Sequence, residues 1–255
     1  MSTSHISISR SGPRQTITLS RPERRNALSL ELMTQATKAL REIPDDVRVI
    51  VLAAAGPAFS AGHDLSEMID RPQSFYDELF AVCTEMMETI QAIPQPVIAR
   101  VQGVATAAGC QLVASCDLAV ASEDAWFGTP GVKIGLFCTT PAVPIVRAVG
   151  RKRAMEMLLT ARKVDAETAL DWGLINRVVP ADQLDAAVDE YVETILSFSA
   201  HVIALGKDAF YRQAGLSQHA AYELAQPIMA KSAHADHAQE GMSAFLDKRP
   251  PDWPS

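Results

Sequence analysis

An α/β fold followed by an all-helical tail is what the sequence predicts, on three observations. Two β-branched, almost wholly apolar runs, Val47–Ala53 and Val97–Val101, have the character of parallel strands covered on both faces. Segments of helical period alternate with them. Residues 196–255 carry no strand pattern at all. With 255 residues, 48% of them hydrophobic and 21% charged, the chain can bury one large core with at most a small satellite, and a disordered tail protein is excluded.

The elements follow in order. His5–Ser9 and Thr16–Ser20 alternate around Gly12-Pro13 and read as an edge hairpin. Ser29 stands at an N-cap, Glu31 in the first turn, and Leu32, Ala36, Ala39, Leu40 and Ile43 on one face, giving a helix over 29–43. The strand Val47–Ala53 is bracketed by Pro44 and Gly56. Phe75, Leu79, Val82, Met86 and Ile90 give a helix over 73–93 that Pro94 and Pro96 stop before Val97–Val101. Gly103 opens a loop, Ala107–Cys116 is small and apolar enough for a helix packed on all sides, and Asp117–Ala121 returns to strand. The middle therefore reads β-α-β-α-β. Thr140-Pro141 places a capping hydroxyl before a first-turn proline, Gly150 closes that helix, and another covers 151–160. Asp165 caps a helix ending at Gly173, Ile175–Val179 is a strand, and the pattern is helical from Ala181 to Phe245.

The charge of −7 is spread over 23 basic and 30 acidic side chains, which argues against nucleic acid as the main partner. No apolar stretch approaches the roughly 20 residues of a bilayer span, so no membrane partner is expected. The start MSTSHISISR lacks the basic patch and apolar run of a secretory signal, and cytoplasm is the default expectation. Cys83, Cys110, Cys116 and Cys138 show no paired spacing and read as buried, reduced thiols. His234 and His237 lie about one helical turn apart without a carboxylate or cysteine cluster, so no metal is expected.

Two stretches carry chemistry. Phe59-Ser60-Ala61-Gly62-His63-Asp64-Leu65 and Gly103-Val104-Ala105-Thr106-Ala107-Ala108-Gly109-Cys110-Gln111-Leu112 each follow a buried strand, and the second opens a buried helix. They read either as tight strand-to-helix turns or as a place where small residues let a ligand reach free main-chain amides able to hold a negative oxygen.

These segments, with Arg21-Pro22-Glu23-Arg24-Arg25-Asn26-Ala27-Leu28 before them and Ala169-Leu170-Asp171-Trp172-Gly173-Leu174-Ile175 after, resemble the enoyl-CoA hydratase/isomerase (crotonase) superfamily almost end to end. The run from Ala105 to Asp117, with Gly135-Leu136-Phe137-Cys138, looks especially like one subgroup, the enoyl-CoA hydratase domain-containing proteins. The resemblance implies a crotonase-like ββα spiral core over 1–195 that binds acyl-CoA, and a C-terminal helical trimerisation region over 196–255. It implies a homotrimer or a dimer of trimers, and a coenzyme A thioester as substrate or ligand with no other cofactor. By motif position the thioester oxygen would sit between the N–H groups of His63 and Ala108. Ala61, Gly62, Asp64 and Leu65 would hold the adenine and pantetheine end, with Arg25, Ala27 and Leu28 along the same channel. Arg25 reads as a phosphate partner or as a solvated arginine.

The catalytic positions depart from the family. Its hydratases use two glutamates, and here Gln111 and Gly131 stand in their places. Gln exchanges no proton near neutral pH and glycine has no side chain, so ordinary hydration is doubtful. The position eight residues further on, a carboxylate in isomerases and dehalogenases, is Thr139, and the 73–93 helix has no histidine. Methylmalonyl-CoA decarboxylases are similar in Ser60–Asp64 and carry a histidine at His63, but their tyrosine falls at Cys138. Thr106, Gln111, Cys138, Thr139 and Thr140 are the other polar candidates, while Asp64 and Asp117 read as structural. The resemblance therefore leaves an acyl-CoA binder without the glutamate pair, a malonyl-type decarboxylase using His63, or a non-catalytic binding subunit.

Overall fold

In the computed structural model, which describes residues 4–254, β1 (Ile6–Ser11) and β2 (Arg14–Leu19) pair antiparallel around Gly12-Pro13. The Ser29 hydroxyl accepts from the Leu32 amide at the start of α1 (Leu30–Arg41), a cap of the kind whose removal costs about 1 kcal/mol. The next strand, β3 (Val49–Ala54), leads into a second short one, β4 (Ala58–Ser60), before α2 (Gln73–Ala92). This unit recurs as β5 (Val97–Val101), β6 (Val104–Thr106) and α3 (Ala108–Ser115). It recurs again as β7 (Leu118–Ser122), β8 (Trp126–Gly128) and α4 (Thr139–Thr160).

The middle is therefore a succession of ββα turns, where the sequence pattern alone gave β-α-β-α-β. The long strands enter one sheet of order β1-β2-β3-β5-β7, parallel beyond the first hairpin, and the short ones enter a second. Three residues are too few for alternation to register, so Gly103, read as the opening of a loop, is instead the turn from β5 into β6. A Cβ there would lie 2.1 Å from the Pro57 carbonyl oxygen, so this crossing requires glycine.

α4 begins at Thr139, and its N-cap, Cys138, makes no side-chain cap bond. Thr140 is thus inside the first turn and does not cap it. Gly150, at φ 76 and ψ 165, breaks the helical backbone where the sequence placed a boundary. After β9 (Val164–Asp165) in the second sheet, Asp165 caps α5 (Ala166–Trp172), and Gly173 ends it in left-handed conformation. β10 (Arg177–Val179) completes the first sheet beside β7, followed by α6 (Leu184–Leu196), α7 (Ala200–Gln213), α8 (Gln218–His234) and α9 (Asp236–Leu246).

Strand alternation decides which layer each side chain joins. Ile50 and Leu52 face the main core with α1, α2 and α3, whereas Val49 and Val51 face the opposite side with Ile98, Val120, Leu184 and Val188. α6 thus covers the reverse face of the sheet, which is why β3 is apolar at every position. The later helices differ: Lys207 is the one buried residue of α7 and Ala244 that of α9, while α8 has none. Lys207 anchors α7 by donating to the Ile90 and Gln95 carbonyls at 2.7 and 2.8 Å and to Asp117 Oδ2 at 2.7 Å. Asp117 also accepts from the Val97 amide and the Tyr211 hydroxyl, a structural role as expected. Among the described residues no helix is long and apolar enough to cross a membrane.

Candidate functional site

The site is built from two turns placed back to back. In the first, after β4, the Ser60 hydroxyl donates to the Asn26 carbonyl and accepts from the Gly62 amide. The Leu28 amide donates to the Gly62 carbonyl at 2.7 Å and the Asp64 amide to the Leu28 carbonyl at 3.4 Å, so Leu28 and His63 form a parallel bridge. In such a bridge the residue whose neighbours make the bonds turns its own N–H the other way. The His63 N–H therefore points away from Leu28.

In the second turn the Ala107 amide donates to the Gly128 carbonyl at 2.9 Å. Ala107 has φ 50 and ψ −119, a region of the mirror-image turns that glycine ordinarily fills. Holding an alanine there costs on the order of 1–3 kcal/mol. Ala108 then starts α3, and the first N–H groups of a helix have no partner within it. Glycines permit the apposition: a Cβ on Gly62 would lie 2.8 Å from Ala107 Cβ and 3.3 Å from the Ala108 nitrogen, and one on Gly109 2.3 Å from the Ser60 carbonyl oxygen.

Both turns line a cavity of about 620 Å³. Of the positions singled out in the sequence, His63, Ala108, Gly131, Cys138, Thr139 and Thr140 line it, as do Ala27, Ala61, Asp64 and Leu65. Leu28, Gly62, Thr106 and Gln111 are outside that lining, and all four are buried. Arg25 is exposed, and its neighbour Arg24 is the lining arginine, because Arg25 sits in left-handed conformation at the end of a tight turn. The residues not singled out include Phe80, Lys133 and Leu136. Phe80 adjoins the Leu79 stripe by one position, so helical periodicity assigns it to no particular face.

The glutamate positions are closed as well as substituted. A Cβ on Gly131 would lie 2.0 Å from the Leu136 carbonyl oxygen and 2.8 Å from Cys138 Sγ. The Leu136 amide donates back to the Gly131 carbonyl across the left-handed Gly135, which folds this segment onto itself. Gln111 is buried with its Oε1 4.0 Å from the Cys83 thiol, and burial pushes that thiol up to about 12, so it stays protonated. Asp64 is also committed. Burial alone would raise its pKa, but bonds from the Ser66 hydroxyl and amide, with Arg21 and Arg24 nearby, hold it below the usual carboxylate range.

His63 differs from all of these. Its Nδ1 lies 3.3 Å from the Leu28 carbonyl, which only accepts, so the ring proton is on Nδ1. Burial lowers its pKa more than this bond raises it, and the ring is neutral near pH 7. Nε2 is buried without a partner, a condition that costs about 1–3 kcal/mol. The ring packs edge-to-face on Phe80 at 5.4 Å. The cavity lining thus combines the main chain of His63 and Ala108 with one neutral imidazole and no free carboxylate among the described lining residues.

The sequence model of the enoyl-CoA hydratase/isomerase family matches residues 15–255. Enoyl-CoA hydratase domain-containing protein 3, mitochondrial, of Mus musculus is 48% identical over 240 residues, which span 93% of this chain and 80% of that protein. Its Homo sapiens counterpart is 45% identical, covering 93% and 79%. Among solved structures, an enoyl-CoA hydratase of Mycobacterium smegmatis superposes with a TM-score of 0.95 at 47% identity over 98% of each chain. Human enoyl-CoA hydratase domain-containing protein 3 gives 0.94 at 42% identity, over 98% of this chain and all of that one.

Proposed function

The chain belongs to the enoyl-CoA hydratase/isomerase family, and on that footing we propose that its cavity binds acyl-CoA thioesters, with the thioester oxygen between the N–H groups of His63 and Ala108. The observation that carries this reading is the apposition of the two turns, which puts His63 and Ala108 in one cavity lining. Any reaction at the carbon next to a thioester builds negative charge on that oxygen, and one aimed donor contributes about 3 to 4 kcal/mol to holding it. Asp64 fixes the first turn, Ala27, Ala61 and Leu65 offer apolar contact to the coenzyme, and Arg24 and Lys133 supply positive charge for its phosphates, with Arg25 close by on the surface. Gly62 and Thr106 support the wall from behind, and Cys138 and Thr139 border the acyl group. No cofactor beyond the thioester enters this reading.

Ordinary hydration is not part of the proposal. It needs a base for water and an acid for the α-carbon, each contributing on the order of 10²- to 10⁴-fold, and Gln111 and Gly131 provide neither. Decarboxylation needs no base, but a histidine serving the departing carboxylate must donate to it. His63 spends its ring proton on Leu28 and presents an acceptor, which favours a binding site with little or no turnover over a malonyl-type decarboxylase.

The tail completes the proposal. The uncovered α7–α9 support a core over 1–195 and an oligomerisation region over 196–255, assembling as a homotrimer or a dimer of trimers. The domain-containing protein 3 relatives carry mitochondrial names, in contrast to the cytoplasmic expectation from the sequence. The test is calorimetry with butyryl-CoA beside a crotonyl-CoA hydration assay. Binding with hydration at least a hundredfold below an active hydratase is expected; absence of binding, or hydration at full rate, overturns the reading. Gln111→Glu with Gly131→Glu should not restore hydration, because the Leu136 carbonyl and the Cys138 thiol occupy the space the second side chain needs.

A further inference from the structure

The polar atoms along the cavity divide by what already engages them. Asp64 is held by Ser66 and Arg21, and the Thr139 hydroxyl donates to the Phe137 carbonyl at 3.3 Å. His63 Nε2 is buried and engages nothing. The Leu28 carbonyl fixes the proton on Nδ1, so what Nε2 presents is a lone pair. Phe80, which shares the cavity lining and is itself only half-buried, packs on the same ring at 5.4 Å. Phe80 is partly exposed on the cavity wall, and such a side chain can change rotamer to admit a ligand beside the imidazole.

We propose that the site selects thioesters whose acyl group carries a hydrogen-bond donor such as a hydroxyl, which His63 Nε2 receives when the Phe80 ring moves aside; this rests on the acyl-CoA reading above. A plain acyl chain leaves Nε2 unsatisfied. A carboxylated acyl group sets its own lone pairs against that of Nε2 and is disfavoured further. The order of affinity is therefore hydroxyacyl, plain acyl, carboxyacyl. The specificity comes from an acceptor with no partner in the protein, because discrimination is strongest where a buried polar group is left unpaired by the wrong ligand.

The test is calorimetric titration of the full chain with butyryl-CoA, 2-hydroxybutyryl-CoA, 3-hydroxybutyryl-CoA and malonyl-CoA, using both enantiomers of each hydroxyacyl group. At least one hydroxybutyryl thioester should bind about tenfold more tightly than butyryl-CoA, the effect of one hydrogen bond to an otherwise orphaned group. Malonyl-CoA should bind more weakly than butyryl-CoA. His63→Phe should bring the hydroxybutyryl-to-butyryl ratio to within twofold of one, and Phe80→Ala should widen it. The ¹⁵N resonance of His63 Nε2 should shift on adding the preferred hydroxybutyryl thioester and not on adding butyryl-CoA. If all hydroxybutyryl thioesters bind within twofold of butyryl-CoA, or malonyl-CoA binds more tightly than butyryl-CoA, the inference is overturned while the acyl-CoA reading stands. If none of the four binds, the acyl-CoA reading itself has failed.

Discussion

α3 and α8 are both rich in alanine and apolar side chains, and they have opposite fates. Every residue of α3 except Ala114 is buried, whereas none of the 17 residues of α8 is. α3 is enclosed because the ββα turns wrap sheets, α2 and α4 around it. α8 leans on α7 and α9, and leaves Tyr222 67% and Met229 70% exposed. Apolar content thus reports that a helix needs covering, and the topology decides whether this chain supplies the cover. The contrast gives the largest expected effect. Leu112→Asp, which puts a charge into the α3 core, should cost on the order of 5 kcal/mol or more and prevent folding. Met229→Asp should move the stability of the isolated chain by less than about 0.5 kcal/mol while dissociating the proposed assembly in sedimentation. Equal effects in chemical denaturation would erase the distinction between the two helices.

One side chain ties the two regions together. Lys207 on α7 enters the core side 7% exposed and meets Asp117 at 2.7 Å, beside the last carbonyls of α2. Burial lowers the lysine pKa, and the Asp117 carboxylate opposes that shift. Removing one member of a buried pair leaves the other charge uncompensated, so Lys207→Met should cost about 3 to 5 kcal/mol. Adding Asp117→Asn should recover part of the loss. A cost below about 1 kcal/mol would mean the pair behaves like a surface ion pair and that α7 is attached by other contacts.

The same contrast explains what the sequence could convey. The long strands, the caps at Ser29 and Asp165 and the break at Gly150 were legible because each is a local signal of several residues or one special backbone position. β4, β6 and β8 were not, since three residues carry no period, and only the family resemblance implied a ββα spiral. Lys207 gives no sign of its burial, because its partners lie at residues 90, 95 and 117. At the site, His63 and Ala108 came from motif position, and the orientation of their amides is a property of backbone that side-chain identity does not encode. Arg24 and Arg25 are indistinguishable until the turn between them is known. The closure at Gly131 depends on a carbonyl five residues along, which no composition reveals.

The starts of the two helices sharpen the comparison in the other direction. α8 opens conventionally: Ser217 is extended, and its side chain accepts from the Ala220 amide. α3 opens on Ala107, which has no capping group and holds a backbone conformation suited to glycine. One helix start satisfies one of its first amides with its own side chain, and the other has no side-chain cap and holds a strained backbone, which suits the proposed thioester acceptor. Ala107→Gly tests whether that strain is stored there. Glycine adopts the conformation freely but has more unfolded freedom to lose, which offsets about 0.4 to 1 kcal/mol of the relief. A net gain of about 1 kcal/mol should remain, raising Tm by about 2 to 4 °C for a chain of this size. Because the turn keeps its shape, butyryl-CoA affinity should change by less than about threefold, which is under 1 kcal/mol. A fall in Tm would mean the strain at Ala107 is already relieved by its neighbours, and the contrast with the Ser217 start would then carry no energetic weight.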